Sequence, residues 1–361
     1  MKICFVGPAD SQHIVKWCTW FNNRGHKTYV ISFTSGEIPG TQVHMVDIGI
    51  DIDGSDISKL KYLFTGRQIR QYIKEIEPDV INVHYATSYG AAMALSGVEP
   101  YVLSVWGSDI YDFPRKSPLH KVLLKYSLKK APYLFSTSRA MAQEAAKYTD
   151  KKFEITPFGV DMDLFNPNKR TRTTDPLFYK EELIVGTVKG LSEKYGIRYI
   201  LEAVSEIKKE GKIPIKLRIA GKGPQEEEYH RLADTLGISD ITTWLGFISQ
   251  EQAAVEWANM DIAIIPSMLE SFGVSAVEAQ ACETAVIISD VPGLMEAAQP
   301  GKTSLVVKKN ESGQIKDTIY KLYYDTNLRK KIAEAGRVFV KDRYEINQCF
   351  RVIENIFMDL E

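Results

Sequence analysis

Two glutamates in the second half of the chain are of a type and spacing that suits binding to hydroxyl groups. They are Glu270 and Glu278, with seven residues between them, in "PSMLESFGVSAVEAQACETAVIISDVPG". A carboxylate accepts hydrogen bonds from vicinal hydroxyls, so the pair suits a sugar or a ribose. Acidic residues also occur at helix starts for dipole reasons alone. We favour the ligand role because Glu278 has small apolar neighbours, unlike a residue on a solvated helix face.

The residues between the glutamates predict an anion site. Gly273, Val274 and Ser275 follow an apolar run and predict the first turn of a helix that ends near Cys282. The first N–H groups of a helix have no partner within it, and the helix dipole adds positive potential there. A phosphate group is therefore the predicted ligand of this turn.

Lysines and glycines follow two other apolar runs. Lys189 and Lys194 come after "ELIVGTV", and two ammonium groups can neutralise a diphosphate, although a lysine pair is just as typical of ordinary surface charge. Gly221 and Gly223 in "IAGKGPQEEEYHRLA" predict a tight strand-to-helix turn, a pattern that by itself is weak. No GxxxxGK[ST] loop and no GxGxxG segment follows a strand, which argues against those phosphate-binding classes.

The elements that must position these residues alternate in type along the chain. Six short apolar runs in each half predict strands, with amphipathic stretches between them. They are "KICFVG", "TYVISF", "VHMVDI", "DVINVHY", "YVLSVWG" and "YLFSTS", then "ELIVGTV", "IKLRIAG", "TTWLGF", "DIAIIPS", "AVIISD" and "SLVVKK". This rhythm predicts two α/β domains, each a doubly wound parallel sheet.

The chain has 361 residues, which favours two domains. The segment 166–178, rich in Pro, Asn, Thr and charge, predicts an exposed linker. We therefore predict domains at 1–168 and 169–340, with a C-terminal helix within 341–361 that crosses back to the first domain. Two such domains are expected to face each other across a cleft, with ligands outside the carboxyl ends of the strands.

Bulk composition excludes several classes of protein. A net charge of -1 with 25% charged residues gives no general attraction to nucleic acid. Four cysteines without CxxC spacing argue against a zinc site and against a disulfide framework. No segment reads as a signal peptide or as a membrane span, so we expect a cytoplasmic protein.

One segment departs from this neutral balance. Residues 115–152 contain ten Lys or Arg and two Asp or Glu, with leucines at helical spacing in "SPLHKVLLKYSLKK". Such a segment predicts peripheral contact with the inner face of the cytoplasmic membrane, through anionic lipid. A core helix with a solvated lysine face is the alternative.

Together these motifs resemble the retaining glycosyltransferases of the two-domain GT-B architecture, specifically family four, the group one glycosyltransferases. The resemblance extends over essentially the whole chain. Its most specific part is "ESFGVSAVE", which is similar to the family's two glutamates separated by seven residues. "WGSDI" and "ITPFGVDMDLFNP" resemble further family segments in the same order.

The resemblance implies roles for residues of the second domain. Glu270 would contact the donor sugar and Glu278 the ribose. Lys189 and Lys194 match the family's Arg and Lys that hold the donor diphosphate. The loop 245–247, which ends at Phe247, would meet the nucleotide base.

In the first domain, Gly7 and His13 lie in the first βα loop, and these residues and Asp109 would face the donor. Asp109 is alternatively a cap of the next turn. Trp106 stands where relatives carry a histidine that is expected to approach the donor sugar. His84 is our candidate to replace it, although a lone strand-end histidine is more often structural.

Other departures from the family pattern are Lys189 for Arg, Phe158 for Asn, and Glu283 with Ala285 for Gly and Pro. Lysine keeps the charge but loses the bidentate fork of arginine.

The resemblance implies transfer of a sugar, favoured to come from a UDP-sugar, to a saccharide or lipid-linked acceptor in bacterial polysaccharide or glycoconjugate assembly. Retention of configuration is implied, without an evident nucleophile. We expect no cofactor and no metal, because the Asp-x-Asp segments at 51–53 and 161–163 lie outside any plausible nucleotide loop. Alternatives are a nucleotide-sugar epimerase of the same architecture, or a non-catalytic sugar-binding protein; a phosphorylase-like enzyme would need a longer chain.

Overall fold

Among the residues that the structure describes, parallel strands form two separate sheets, of seven and six strands. The computed structural model describes residues 1–48, 64–172 and 182–361. Its contacts divide the chain into one unit of Met1–Phe158 with Cys349–Glu361 and a second unit of Gly159–Gln348. This division falls before the boundary predicted at 168/169, and positions 173–178 of the predicted linker lie outside the described residues.

The first unit contains seven parallel strands in the order β3-β2-β1-β4-β5-β6-β7. They are β1 (Lys2–Val6), β2 (Lys27–Ser32), β3 (Thr41–Met45), β4 (Val80–His84), β5 (Val102–Val105), β6 (Tyr133–Ser136) and β7 (Glu154–Ile155). The sequence predicted the first six. It missed β7 because this edge strand is only two residues long and neither residue is buried.

Within the described residues of this unit, seven helices connect these strands. They are α1 (Gln12–Asn23), α2 (Gly66–Ile76), α3 (Ser88–Ser96), α4 (Ser108–Tyr111), α5 (Phe113–Lys116), α6 (Pro118–Lys130) and α7 (Arg139–Ala145). Helix α1 begins where the Ser11 hydroxyl accepts a hydrogen bond from the His13 N–H at 3.3 Å, as is usual for an N-cap serine. Its buried side chains, Trp17 and Phe21 among them, pack onto the sheet.

The second unit has six parallel strands in the order β10-β9-β8-β11-β12-β13. They are β8 (Leu183–Val188), β9 (Ile215–Ala220), β10 (Thr242–Gly246), β11 (Ile262–Ile265), β12 (Ala285–Ser289) and β13 (Leu305–Val307). All six were predicted from apolar runs. The two sheets thus confirm the doubly wound α/β class predicted for both halves.

The helices of the second unit are α8 (Ile197–Glu210), α9 (Glu226–Leu236), α10 (Gln250–Asn259), α11 (Val274–Ala281), α12 (Pro292–Ala297), α13 (Ser312–Tyr324) and α14 (Thr326–Tyr344). The amphipathic stretch "DTIYKLYYDTNLRKKIAEAGRVF", Asp317 to Phe339, by itself predicts one helical segment. The structure interrupts it at Asp325, whose carboxylate accepts a hydrogen bond from the Leu328 N–H at 2.8 Å. An aspartate at this position starts a new helix because it caps the exposed N–H groups.

The last helix, α15 (Ile346–Leu360), enters the first unit from Cys349 onward. Phe357 stacks on Phe21 with ring centroids 5.6 Å apart. The largely buried Glu354 carboxylate accepts hydrogen bonds from Arg24 and His26, each at 2.8 Å. Ring packing and a charged network therefore both hold the helix.

Each sheet reverses its strand order at one point, between β1 and β4 and between β8 and β11. At such a switch point the connections leave the carboxyl ends of two adjacent strands in opposite directions, which opens a crevice for a ligand. Most of the residues singled out from the sequence follow these four strands.

Candidate active site

Lys189 and Glu270 form an ion pair at the switch point of the second sheet. Lys189 directly follows β8, and Glu270 lies in the loop after β11. The Lys189 Nζ donates to Glu270 Oε2 at 2.6 Å, and the two side chains are 11% and 10% exposed. Burial by itself lowers the pKa of Lys189, but Glu270 and other neighbours outweigh it, so the pKa is raised above its usual value. The lysine is therefore a fixed positive charge.

The start of α11 lies against the end of β8. Gly273 precedes the helix with φ 95°, and a Cβ there would lie 2.7 Å from Leu294 Cδ2. The Ser275 hydroxyl donates to the Val188 carbonyl at 2.9 Å. The first N–H groups of α11, including that of Val274, are therefore beside the strand end that carries Lys189. This is the helix start for which the sequence predicts an anionic ligand.

Glu278 lies within α11 and is half-buried. Its Oε2 accepts a hydrogen bond from Trp257 Nε1 at 3.3 Å. Trp257 belongs to α10 and is wholly buried. The indole thus orients the carboxylate, a role for Trp257 that the sequence analysis missed because the two residues lie on different helices.

Two glycines let the loops after β8 and β9 approach each other. A Cβ on Gly221, where φ is 135°, would lie 1.9 Å from the Lys189 carbonyl oxygen. A Cβ on Gly223 would lie 2.2 Å from the Leu191 carbonyl oxygen. These glycines therefore shape the site by backbone packing. Phe247, in the loop predicted to meet the base, is 73% exposed.

Lys194 belongs to a single-turn helix, Glu193–Tyr195, before α8. The Lys189 Nζ lies 4.5 Å and the Lys194 Nζ 5.4 Å from the centroid of the Tyr195 ring. Both predicted diphosphate ligands thus contact one aromatic ring. Tyr195 is not among the residues predicted from the sequence, although its position beside Lys194 is a usable signal.

His84, the proposed substitute for the family histidine, cannot contact a ligand from its position in the structure. It is the last residue of β4, has no exposed surface, and packs against the rings of Phe5, Trp17 and Trp106. Burial lowers its pKa to about 3. Neither ring nitrogen has a hydrogen-bond partner among the described residues. The structural alternative that the sequence left open fits this position.

The two aromatic departures from the family pattern contact each other. Phe158 lies 5.6 Å from Trp106 between ring centroids, and His13 stacks on Phe158 at 3.8 Å. Burial lowers the pKa of His13 to about 3. A Cβ on Gly7 would lie 3.2 Å from His84 Cβ, so Gly7 permits close packing here. Gly7 and His13, which were predicted to face the donor, therefore lie in a mostly buried cluster of aromatic rings.

Asp109 is a structural carboxylate. It is buried and accepts hydrogen bonds from the N–H groups of Ala86, Trp106 and Gly107 at 2.7 to 3.4 Å. It thereby joins the loops after β4 and β5. The predicted direct contact with a donor does not fit, because the buried carboxylate is occupied by backbone N–H groups. These groups precede Asp109 in the chain, so it does not cap the next turn either.

Glu283 has a left-handed backbone, with φ 57°. This explains the glycine at the corresponding family position, because glycine adopts positive φ without strain.

Within residues 1–48, 64–172 and 182–361, no group of three His, Cys, Asp or Glu side chains is placed to hold a metal ion. The first Asp-x-Asp segment, at 51–53, lies outside these residues, whereas Asp161 accepts hydrogen bonds from the N–H groups of Asp163 and Leu164 in a local turn.

None of the described helices has the length and apolar character needed to cross a membrane.

The fold defines a class: two doubly wound parallel sheets in one chain, the architecture of GT-B glycosyltransferases. The family model described as "Glycosyl transferases group 1" matches residues 168–339. A second model, "Glycosyl transferase 4-like", matches residues 2–138. The chain belongs to the group 1 glycosyltransferases, and it is an enzyme, a transferase.

Known proteins resemble the chain over most of its length. This chain is 24% identical to an uncharacterized glycosyltransferase of Methanocaldococcus jannaschii over 306 residues. The match covers 83% of this chain and 81% of that protein.

Solved structures share the fold. Sucrose-phosphate synthase from Thermosynechococcus elongatus superposes with a TM-score of 0.84 at 17% identity, covering 100% of this chain and 99% of that one. Anabaena HepE, solved in complex with UDP and glucose, superposes with a TM-score of 0.79 at 18% identity, covering 99% of each chain. At these identities the match establishes the GT-B fold alone.

Proposed function

We propose that this enzyme transfers a sugar from a nucleotide sugar, a UDP-sugar in preference to others, to a hydroxyl of a saccharide or lipid-linked acceptor. The observation that carries the proposal is the grouping of Lys189, Glu270 and the start of α11 at the carboxyl ends of β8 and β11. This grouping offers cations and N–H donors for a diphosphate and carboxylates for hydroxyls. The structure of HepE with UDP-glucose supports the choice of donor.

In the proposed reaction the diphosphate is the leaving group. Lys189, Lys194 and the N–H groups at Val274 and Ser275 would stabilise the charge that develops on it, which is electrostatic catalysis by preorganised donors. These groups would take the place of a divalent metal, so we propose a metal-independent enzyme without a cofactor.

Glu270 and Glu278 would position the donor by accepting hydrogen bonds from its hydroxyls. We propose that Glu270 binds the transferred sugar and Glu278 the ribose. The configuration at the anomeric carbon would be retained by attack on the face that the leaving phosphate occupies. The leaving diphosphate would then assist removal of the acceptor proton.

Donor binding tests this proposal directly. The measurement is thermal stabilisation and slow hydrolysis with UDP-, GDP-, ADP- and TDP-sugars, with and without EDTA, on the wild type, Glu278→Gln and Glu278→Ala. We expect one nucleotide class to stabilise the wild type independently of EDTA. Both variants should bind this donor about 10- to 100-fold more weakly, because a charged acceptor for the ribose hydroxyls is lost.

Glu278→Gln is the more informative variant because its amide oxygen can still accept from Trp257 Nε1. Glu283→Gln, at the end of the same helix, is the control and should bind like the wild type. Unchanged binding in both Glu278 variants would contradict the ribose role. Conversion of the donor into a nucleotide sugar with a different sugar, without transfer to any acceptor, would identify an epimerase instead.

We propose that helix α6 brings the enzyme to the inner face of the cytoplasmic membrane, where a lipid-linked acceptor of polysaccharide or glycoconjugate assembly would be found. Leu119 and Val122 are 64% and 62% exposed on this helix. Lys121 and Lys125 are exposed beside them, whereas Leu124 and Leu128 are buried. Exposed apolar side chains flanked by lysines suit an anionic bilayer surface.

Sedimentation with vesicles tests this surface. We expect the wild type to bind phosphatidylglycerol vesicles but not phosphatidylcholine vesicles. Lys121→Glu/Lys125→Glu should weaken binding by about tenfold or more, since each basic residue contributes about 1 kcal/mol at such a surface. The matched control, Lys208→Glu/Lys209→Glu on α8, should bind as the wild type does. Equal binding of both double variants would argue against α6 as the contact.

A further inference from the structure

Tyr195 contacts both lysines predicted to hold the diphosphate. Its ring centroid lies 4.5 Å from the Lys189 Nζ and 5.4 Å from the Lys194 Nζ. Both distances are within the range in which an ammonium is attracted to the negative face of an aromatic ring.

The surrounding backbone fixes the position of this ring. A Cβ on Gly190 would lie 3.3 Å from Tyr195 Cε2, so the glycine leaves room for the ring against the loop after β8. The Tyr195 N–H donates to the Ser192 carbonyl at 3.0 Å. On the other side, a Cβ on Gly196 would lie 2.3 Å from the Pro266 carbonyl oxygen, so the chain packs tightly against the end of β11. The ring therefore has little freedom to move away from the lysines.

An aromatic ring and a carboxylate bind an ammonium group in different ways. A carboxylate neutralises the charge and occupies N–H donors, as Glu270 does for Lys189 at 2.6 Å. The face of a neutral ring attracts the cation but leaves the net charge available for an anionic ligand. It also restricts a flexible side chain, which lowers the entropy lost when the ligand binds.

We propose that Tyr195 is a positioning residue that holds Lys189 and Lys194 towards the diphosphate of the donor through the face of its ring. The inference rests on the proposed function, because it assigns a second task within the same site. It makes the ring face, not the phenol hydroxyl, the important feature.

Calorimetric titration with UDP, UMP and uridine tests the inference on the full-length protein. Tyr195→Leu should weaken UDP binding by about 5- to 30-fold, because two ring contacts to cations are lost. It should leave uridine binding unchanged, since a nucleoside carries no phosphate. Tyr195→Phe keeps the ring and should bind UDP within about twofold of the wild type.

Two further variants separate this role from a structural one. Replacing Tyr195 by trifluorophenylalanine keeps the shape of phenylalanine but weakens the negative ring face, so UDP binding should fall between that of Tyr195→Phe and that of Tyr195→Leu. Tyr320→Leu removes a ring that contacts Lys212 at 5.7 Å outside the site, and it should bind UDP as the wild type does.

The outcomes are distinct. UDP binding of Tyr195→Leu equal to that of the wild type overturns the inference and leaves the proposed function intact. Equal losses for UDP and uridine, or a loss in Tyr195→Phe as large as in Tyr195→Leu, also overturn it. If the wild type binds none of UDP, GDP, ADP or TDP, the proposed function fails and this inference fails with it.

Discussion

Lys189→Met is expected to lower the free energy of unfolding by about 3 kcal/mol and to weaken UDP binding by about 100-fold. The loss of stability arises because the Glu270 carboxylate, only 10% exposed, loses the ammonium 2.6 Å away. The loss of binding arises because the proposed diphosphate site loses a charged donor. Urea unfolding and calorimetric titration measure the two effects separately.

A double-mutant cycle distinguishes these two causes. Glu270→Gln should also destabilise the protein, since it leaves the Lys189 ammonium buried without its anion. In Lys189→Met/Glu270→Gln no buried charge remains unpaired, so stability should return to within about 1 kcal/mol of the wild type. UDP binding should stay weak in the double variant. If the two losses of stability simply add, the ion pair is not the cause.

A surface pair provides the matched control. Arg198 and Glu228 also form an ion pair, but their side chains are 44% and 48% exposed. Arg198→Met should therefore change the free energy of unfolding by less than about 1 kcal/mol.

His84→Leu is expected to make the protein markedly more resistant to acid. Burial lowers the pKa of His84 to about 3 in the folded protein, against about 6.5 for an unperturbed histidine. Below pH 6.5 the unfolded chain therefore binds a proton that the folded protein does not, and stability falls with pH. The histidine contributes a loss of about 1.4 kcal/mol for each pH unit until the pH reaches about 3.

Leucine at this position binds no proton, so the curves of stability against pH should separate below pH 6.5. At pH 7.5 the variant should lie within about 1 kcal/mol of the wild type, because the imidazole nitrogens that it removes have no partner in the described part of the chain. His13, whose pKa burial also lowers to about 3, remains and leaves part of the acid dependence.

Asp109 acts in the opposite direction. Burial raises its pKa, with hydrogen bonds from neighbouring N–H groups partly opposing the shift, so its protonation favours the folded state as the pH falls. It is present in both proteins, and the difference between them therefore reports His84. Curves that stay parallel between pH 7.5 and pH 4 would contradict the assigned burial effect. Chemical unfolding at a series of pH values provides the measurement.

The sequence predicted most of the scaffold because its signals are local. Apolar runs of a few residues predicted all six strands of the second sheet and six of the seven in the first. The two-residue β7 was missed because so short an edge strand has no pattern to detect. One helical segment proved to be two, divided at Asp325, because a capping interaction outweighs continuous helical periodicity.

The sequence determined by itself that the chain has two doubly wound α/β halves, and that Glu270, Glu278 and Lys189 lie at strand ends or a helix start. Residue type and spacing along the chain are sufficient for these conclusions. Tertiary packing pairs Lys189 with Glu270, places Tyr195 against both lysines, and buries His84 and Asp109. Those contacts join residues from different strands and loops, and burial depends on what packs against a side chain, so neither is encoded in local spacing.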